Sequence, residues 1–141
     1  MSIIDDAILR LQVLADACTG INNTPQYPTD DASVLPLAIA HIGGGTGDQP
    51  NATDTKLMIN LSVDFHFDRS ILRLTYQKID ALVPEYIQRL GGDPTLGGTI
   101  STIVFPVAFT VSPADWDSII TQMVSFTIPV KFNLLTPTVT P

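Results

Sequence analysis

The chain nearly lacks cysteine: Cys18 is the single one in 141 residues, so an internal disulfide is excluded. It is short of basic residues too, with 7 Lys and Arg against 14 Asp and Glu and a net charge of -7. Clustered Lys and Arg are what displace counterions from a phosphate backbone or attract an anionic lipid surface, and this composition argues against both roles. An acidic wall still suits something that must let DNA slide past without sticking. Charged residues of either sign reach just 15%, against a typical ~25%. A surface so poor in charge is filled by neutral and apolar side chains, as expected where partners cover part of it. No apolar run approaches the ~20 residues of a helical membrane span. The start, Met1 to Asp6, lacks the basic stretch of a signal peptide, so the expected place of action is a cytoplasm or a particle assembled there.

What the sequence has is a 45% hydrophobic composition and two kinds of period. The length fits one domain, expected over residues 1–135, with a loose Pro-rich tail at 136–141. Ile3, Ile4, Ala7, Ile8, Leu11, Leu14, Ala15 and Cys18 fall on one face of a helix over residues 2–18, capped by Ser2 with Asp5 three residues on. Cys18 on that stripe reads as a small buried hydrophobe. Residues 20–33 read as a loop, Val34 to Ile42 as a strand, and Gly43 to Asp54 as a long mobile loop. Leu57, Ile59, Leu61, Val63, Phe65 and Phe67 alternate with polar residues and predict a strand over 55–67. A second helix starts at Asp68 or Ser70, buries Ile71, Leu72, Thr75, Ile79, Leu82, Val83, Tyr86, Ile87 and Leu90, and ends at Gly91-Gly92. Pro84 should kink or divide it.

After the turn Asp93-Pro94-Thr95-Leu96-Gly97-Gly98, a third strand is predicted over 99–111, with Ile103, Phe105, Val107, Phe109 and Val111 on one face. Pro113 to Asp115 then make a hairpin connection to a last strand over 117–134. Pro36, Pro106 and Pro129 suggest edge positions. The order α-β-β-α-β-β predicts an α+β fold: an antiparallel sheet of about four strands, two helices on its apolar face, and long hairpin arms. Strands this long expose more apolar surface than two helices cover, so sister chains are expected to cover the rest.

Chemistry is sparse. Asp64 and His66 point the same way from one strand, but neither a second His nor a Cys joins them, and a solvated strand face explains them better than a metal or acid–base pair. His41 has no evident partner. Gly43-Gly44-Gly45-Thr46-Gly47 lacks the Gly-Lys-Ser/Thr ending of a phosphate loop, and no Lys or Arg lies between Arg10 and Lys56. The scattered Arg69, Arg73, Lys78 and Arg89 read as a solvated helix face. Trp116, flanked by Asp115 and Asp117 at a hairpin tip, is either a contact anchor or a ring folded back on the hairpin.

The segment from Tyr86-Ile87-Gln88-Arg89-Leu90 through Asp93-Pro94-Thr95-Leu96-Gly97-Gly98-Thr99-Ile100 into a strand resembles the tail terminator and tail-completion proteins of tailed bacteriophages. Those proteins have a similar length, an N-terminal helix, and an Asp-x-Thr-Leu-Gly-Gly-type turn between the second helix and the next strand. The resemblance implies a homo-hexameric ring in the virion neck, assembled in the host cytoplasm. Such a ring caps the tail tube protein and joins it to a head-completion or connector protein, with DNA passing through the lumen. It implies no enzyme activity and no cofactor. Gly43, Gly44, Gly45, Gly97, Gly98 and Trp116 are the expected interface positions, and Asp93, Thr95, Leu96, Gly97 and Gly98 form the turn motif. The glycine-rich loop and Pro-rich end depart from the family pattern. The competing expectations are another tail component, such as a tube or baseplate-hub protein, and a small-ligand-binding α+β module centred on Asp64 and His66.

Overall fold

The structure is a computed structural model and describes residues 3–18, 21, 35–48, 54–116 and 119–135. The expected Ser2 cap, nearly all of loop 20–33, and tail 136–141 lie outside the described residues. The elements run α1 (Ile3–Asp16), β1 (Leu37–Asp48), β2 (Asp54–Asp68), α2 (Leu72–Gly91), β3 (Thr102–Ile103), β4 (Ala108–Trp116) and β5 (Ile119–Leu135). All strand pairs are antiparallel, β1 with β2, β2 with β5, and β5 with both β3 and β4. The sheet therefore has four columns, the last split between β3 and β4.

Both helices bury their apolar stripes on one face of this sheet, as the sequence predicts for an α+β fold. Ala7, Leu11 and Ala15 of α1 join Ala38 and Ala40 of β1 in one core with Ile79, Leu82, Tyr86 and Leu90 of α2. The alternating rows Leu61, Val63, Phe65 and Val124, Phe126, Ile128 form its floor. Tyr86 meets Phe65 edge-on at 5.1 Å and Phe126 at 5.0 Å between ring centroids, a geometry that suits the ring quadrupoles. Its hydroxyl donates to the Leu11 carbonyl at 3.3 Å, and Arg89 donates to the Ala17 carbonyl at 3.0 Å, tying α2 to α1. Arg89 is thus a helix-to-helix tie beyond the solvated role its sequence pattern suggested.

Several expectations change. Gly43 to Asp48 are not a loop: they continue β1 and pair with β2 as far as Asp48 opposite Lys56. The register shifts between Ile42 and Gly44, so Gly43 is a bulge. The ladder here comes from backbone alone, which needs no side-chain pattern. The third predicted strand is two, broken at residues 104–107, where Phe105–Pro106 is cis. Pro113 to Asp115 belong to β4, and the connection lies instead between Trp116 and Ile119. Pro129 sits in the central strand β5, not at an edge. Its carbonyl accepts from Val104 N–H at 2.8 Å, so the side that lacks an N–H faces the gap between β3 and β4.

α2 begins at Leu72, with Ile71 as an N-cap that lacks a side-chain bond, and both residues are exposed. Thr75 Oγ1 donates to the Asp68 carbonyl and ties the first turn to β2. Pro84 does not divide the helix, which is one element through Gly91. Pro84 and Asp80, whose carbonyl loses its usual i+4 donor, both lie on the exposed side, where the lost bond costs least. Among the described residues no helix is long and apolar enough to cross a membrane.

Lengths decide what the helices cover. β2 has 15 residues and β5 has 17, so at ~3.3 Å per residue β5 spans roughly 55 Å. α2, with 20 residues at 1.5 Å each, spans roughly 30 Å. The sheet overhangs its helix layer.

Candidate assembly surface

Three regions carry the residues singled out by sequence. The first is the turn after α2. Asp93 Oδ2 accepts from Arg10 Nε of α1 at 2.6 Å, and its Oδ1 accepts from Gly97 N–H at 2.9 Å. Burial raises the Asp93 carboxyl, but the Arg10 and Gly97 hydrogen bonds outweigh it and hold the group below its ordinary range. Thr99 Oγ1 donates to the Leu96 carbonyl, and Gly98 N–H donates to Thr95 Oγ1. Leu96, Gly97 and Gly98 take φ of 47°, 67° and 84°, the left-handed region that glycine enters freely. This backbone drives Leu96 into the core while Gly97 and Gly98 stay at the surface. The turn motif therefore has a structural job: it pins α1 to the end of α2 and starts β3, through Ile103 N–H on the Pro94 carbonyl at 2.7 Å.

The second region lies on the sheet face away from the helices. Asp64 Oδ2 is 2.9 Å from His41 Nε2, and Asp64 Oδ1 accepts from Ser125 Oγ at 2.6 Å. His66 Nδ1 lies 2.8 Å from Thr121 Oγ1. Two expectations are corrected. His41 does have a partner, and His66 is not solvated but 2% exposed. The His41–Asp64 contact is diagonal across β1 and β2, since Asp64 stands opposite Ile39. It was missed because the register was not fixed by the sequence pattern. Both ring nitrogens of His41 face acceptors, Nδ1 being 3.3 Å from the Ile42 carbonyl, so the imidazolium can donate to each. The hydrogen bond to Asp64 raises the His41 pKa against the effect of burial. Burial lowers His66. Asp64 is pushed up by burial but held below its ordinary value by His41 and Ser125.

The order Ser125–Asp64–His41 puts the carboxylate in the middle, whereas serine activation needs the imidazole there. Among the described residues no group of three or more His, Cys, Asp or Glu is placed to hold a metal ion. Cys18 is buried, and desolvation, helped by the charge of Glu85, raises its thiol to about 11, which leaves it a poor nucleophile.

The third region is the two outer flanks of the sheet. The apolar row expected over 99–111 is left partly uncovered on β4, where Phe109 is 44% and Val111 38% exposed. Both point to the helix side, where Phe109 touches Phe126 at 5.9 Å between centroids. With Tyr76, Ile79, Val83 and Pro84 of α2 they line a groove of ≈ 300 Å³. Phe105, Ile119 and Ile120 are exposed as well. On the opposite flank, every side-chain position from Ile42 to Asp48 is exposed. Of the expected interface residues, Gly43, Gly44 and Gly45 lie on this β1 flank and Gly97 and Gly98 at the surface turn. Trp116 ends β4, and its side chain lies outside the described residues. The row from Ile103 to Val111 was read as one strand, so the separation of the buried Ile103 from the exposed β4 row was not seen.

No protein-family model matches the chain, and no curated protein matches it.

Proposed function

We propose that the chain is a structural subunit that assembles with copies of itself into a ring of the bacteriophage tail-terminator kind. In this reading the ring caps a tail tube and joins it to a head-completion or connector protein, and DNA passes through its centre. The observation that carries assembly is uncovered surface at the two sides of the sheet: Phe109, Val111 and Tyr76 exposed together at one edge and a bare strand edge opposite. Burying each large apolar side chain stabilises by about 1.5–3 kcal/mol, a gain the isolated chain leaves unused. The turn from Asp93 to Gly98 supports the terminator resemblance through its sequence. The net charge of -7 suits a lumen that DNA must cross without binding.

The test is size. Native mass spectrometry and negative-stain micrographs of the purified chain should show a closed ring, roughly a hexamer. An open polymer would point to a tube protein instead. A monomer at high concentration that joins no tail or capsid component would end the assembly reading.

A second reading, small-ligand binding, is favoured by one observation. A cavity of ≈ 660 Å³ lies between α2 and the start of β1, lined by Leu35, Pro36, Phe67, Leu74, Lys78 and Leu82 among others. It does not include Asp64 or His66, so a ligand site there is not the one the sequence suggested.

A further inference from the structure

The two outer edges of the sheet have opposite character, and backbone alternation shows how. Ser101 and Val104 N–H groups donate to the carbonyls of Lys131 and Pro129, so odd-numbered residues of β5 turn their backbone toward the β3–β4 column. β5 runs in unbroken register with β2, from Asp54 opposite Leu135 to Asp68 opposite Thr121, so this alternation holds along it. On β4 the residues facing inward are then Ala108, Thr110, Ser112 and Ala114, opposite odd residues of β5. Phe109, Val111, Pro113 and Asp115 turn their backbone groups outward. The same reasoning on β2 turns Gly44, Thr46 and Asp48 inward and leaves Gly45 and Gly47 outward.

Side chains complete the contrast. Phe109 and Val111 stand opposite Phe126 and Val124 and so lie on the helix side of the sheet. Gly45 and Gly47 stand opposite Ile59 and Leu57, also on the helix side, but bring no side chain. One edge offers outward backbone with large apolar groups, and the other offers outward backbone with no side chain of its own at Gly45 and Gly47, which lie close against β2. Pro113 removes one outward N–H from β4, which blunts it against pairing with itself. No proline interrupts β1 from Leu37 to Asp48. Four antiparallel columns also mean that β4 runs opposite to β1. A copy placed beside the first in the same orientation therefore continues the antiparallel order with its helices on the same side.

We propose that β4 of one copy pairs with the Gly44–Asp48 segment of β1 of the next copy, seating Phe109 and Val111 over Gly45 and Gly47. This contact is heterologous, so it repeats until a ring closes. It rests on the assembly reading and specifies which surfaces meet. Self-pairing of two β1 edges would leave glycine facing glycine, with the apolar groups of β4 uncovered.

Disulfide trapping tests it. In a Cys18→Ala background, Thr46→Cys and Thr110→Cys are prepared as separate full-length proteins. Both threonines are exposed on the face away from the helices, beside the proposed ladder. On mild oxidation the mixture should give a covalent dimer and neither protein alone should, while a chain carrying both should give a ladder of multimers. Covalent dimers from Thr46→Cys alone would overturn the proposal in favour of β1 self-pairing. An oligomer of undiminished size with no mixed disulfide, at Thr110→Cys or at Ser112→Cys, would remove the edge pairing and leave the assembly reading standing. A monomer would remove both. Val111→Pro deletes an outward N–H without touching the β5 ladder. It should weaken self-association at least tenfold with the thermal midpoint of the dissociated chain unchanged, and association equal to wild type would contradict the pairing.

Discussion

Phe126 and Phe109 stand opposite each other on β5 and β4, point to the same side of the sheet, and differ only in what covers them. Phe126 is 0% exposed beneath Tyr86; Phe109, one strand further out, only borders α2 across an open groove and is nearly half exposed. The residue type is the same, and so is the alternation that placed it. What separates core from flank is the width of the helix layer, not the strand sequence. An apolar row outside that layer is a cost in an isolated chain and an anchor in an assembly.

The largest effect that can break this comparison is truncation of each ring. Phe126→Ala should cost about 3–5 kcal/mol, the sum of lost transfer energy and a cavity between Phe65 and Tyr86. Phe109→Ala should cost under about 1 kcal/mol in the dissociated chain, yet reduce self-association. Urea unfolding at low protein concentration separates the two. Equal costs would mean that β4 is already part of the core.

Glycines sharpen it next. A Cβ at Gly45 would collide with the Met58 carbonyl oxygen and lie 2.8 Å from Ile59 Cα, both backbone atoms that cannot yield locally. Gly45→Ala should destabilise by about 1–3 kcal/mol. Gly97→Val should cost a similar ~1–3 kcal/mol, because φ of 67° is strained for a β-branched residue and the new Cβ would meet Arg10 Nε at 3.3 Å. Gly91, the last residue of α2, has open space around its Cβ position. Gly91→Ala should stabilise by about 0.5–1 kcal/mol, a shift readable in the melting midpoint. If Gly45→Ala proved as harmless as Gly91→Ala, the arm would not hold the close β1–β2 approach described.

These residues also show what was legible in the sequence. The rows Leu57 to Phe67 and Ile3 to Cys18 were readable because burial on one side leaves a period in side-chain type. Gly43 to Gly47 were not, since a strand held by backbone bonds leaves none. The break at 104–107 was hidden by apolar residues that keep alternating through it. Pro129 was misplaced because its tolerance depends on a gap in a neighbouring strand that sequence distance conceals. For the polar centre, the residue types at Asp64 and His66 were visible, but the link to His41 needed the register of β1 on β2. That register shifts at a bulge glycine.

The smallest expected effect concerns the sheet face that carries no helix, where His41 and His66 titrate in opposite senses. His41 has a folded pKa raised above 6.5 by its hydrogen bond to Asp64. Its stabilisation is therefore fully present below pH 6.5 and is lost as pH rises through that higher value. His66 has a folded pKa lowered by burial, so the folded chain keeps it neutral. Its effect is a loss of stability as pH falls from 6.5 toward that lower value, because only the unfolded chain takes up the proton. Asp64 stays ionised throughout this range, since its own pKa is held below 3.8. Comparing urea midpoints from about pH 8 down to about pH 5.5, the gap between wild type and His41→Gln should widen toward acid. The gap between wild type and His66→Gln should narrow over the same range. If both gaps stayed constant with pH, His41 would not be bonded to Asp64 nor His66 buried as the structure shows.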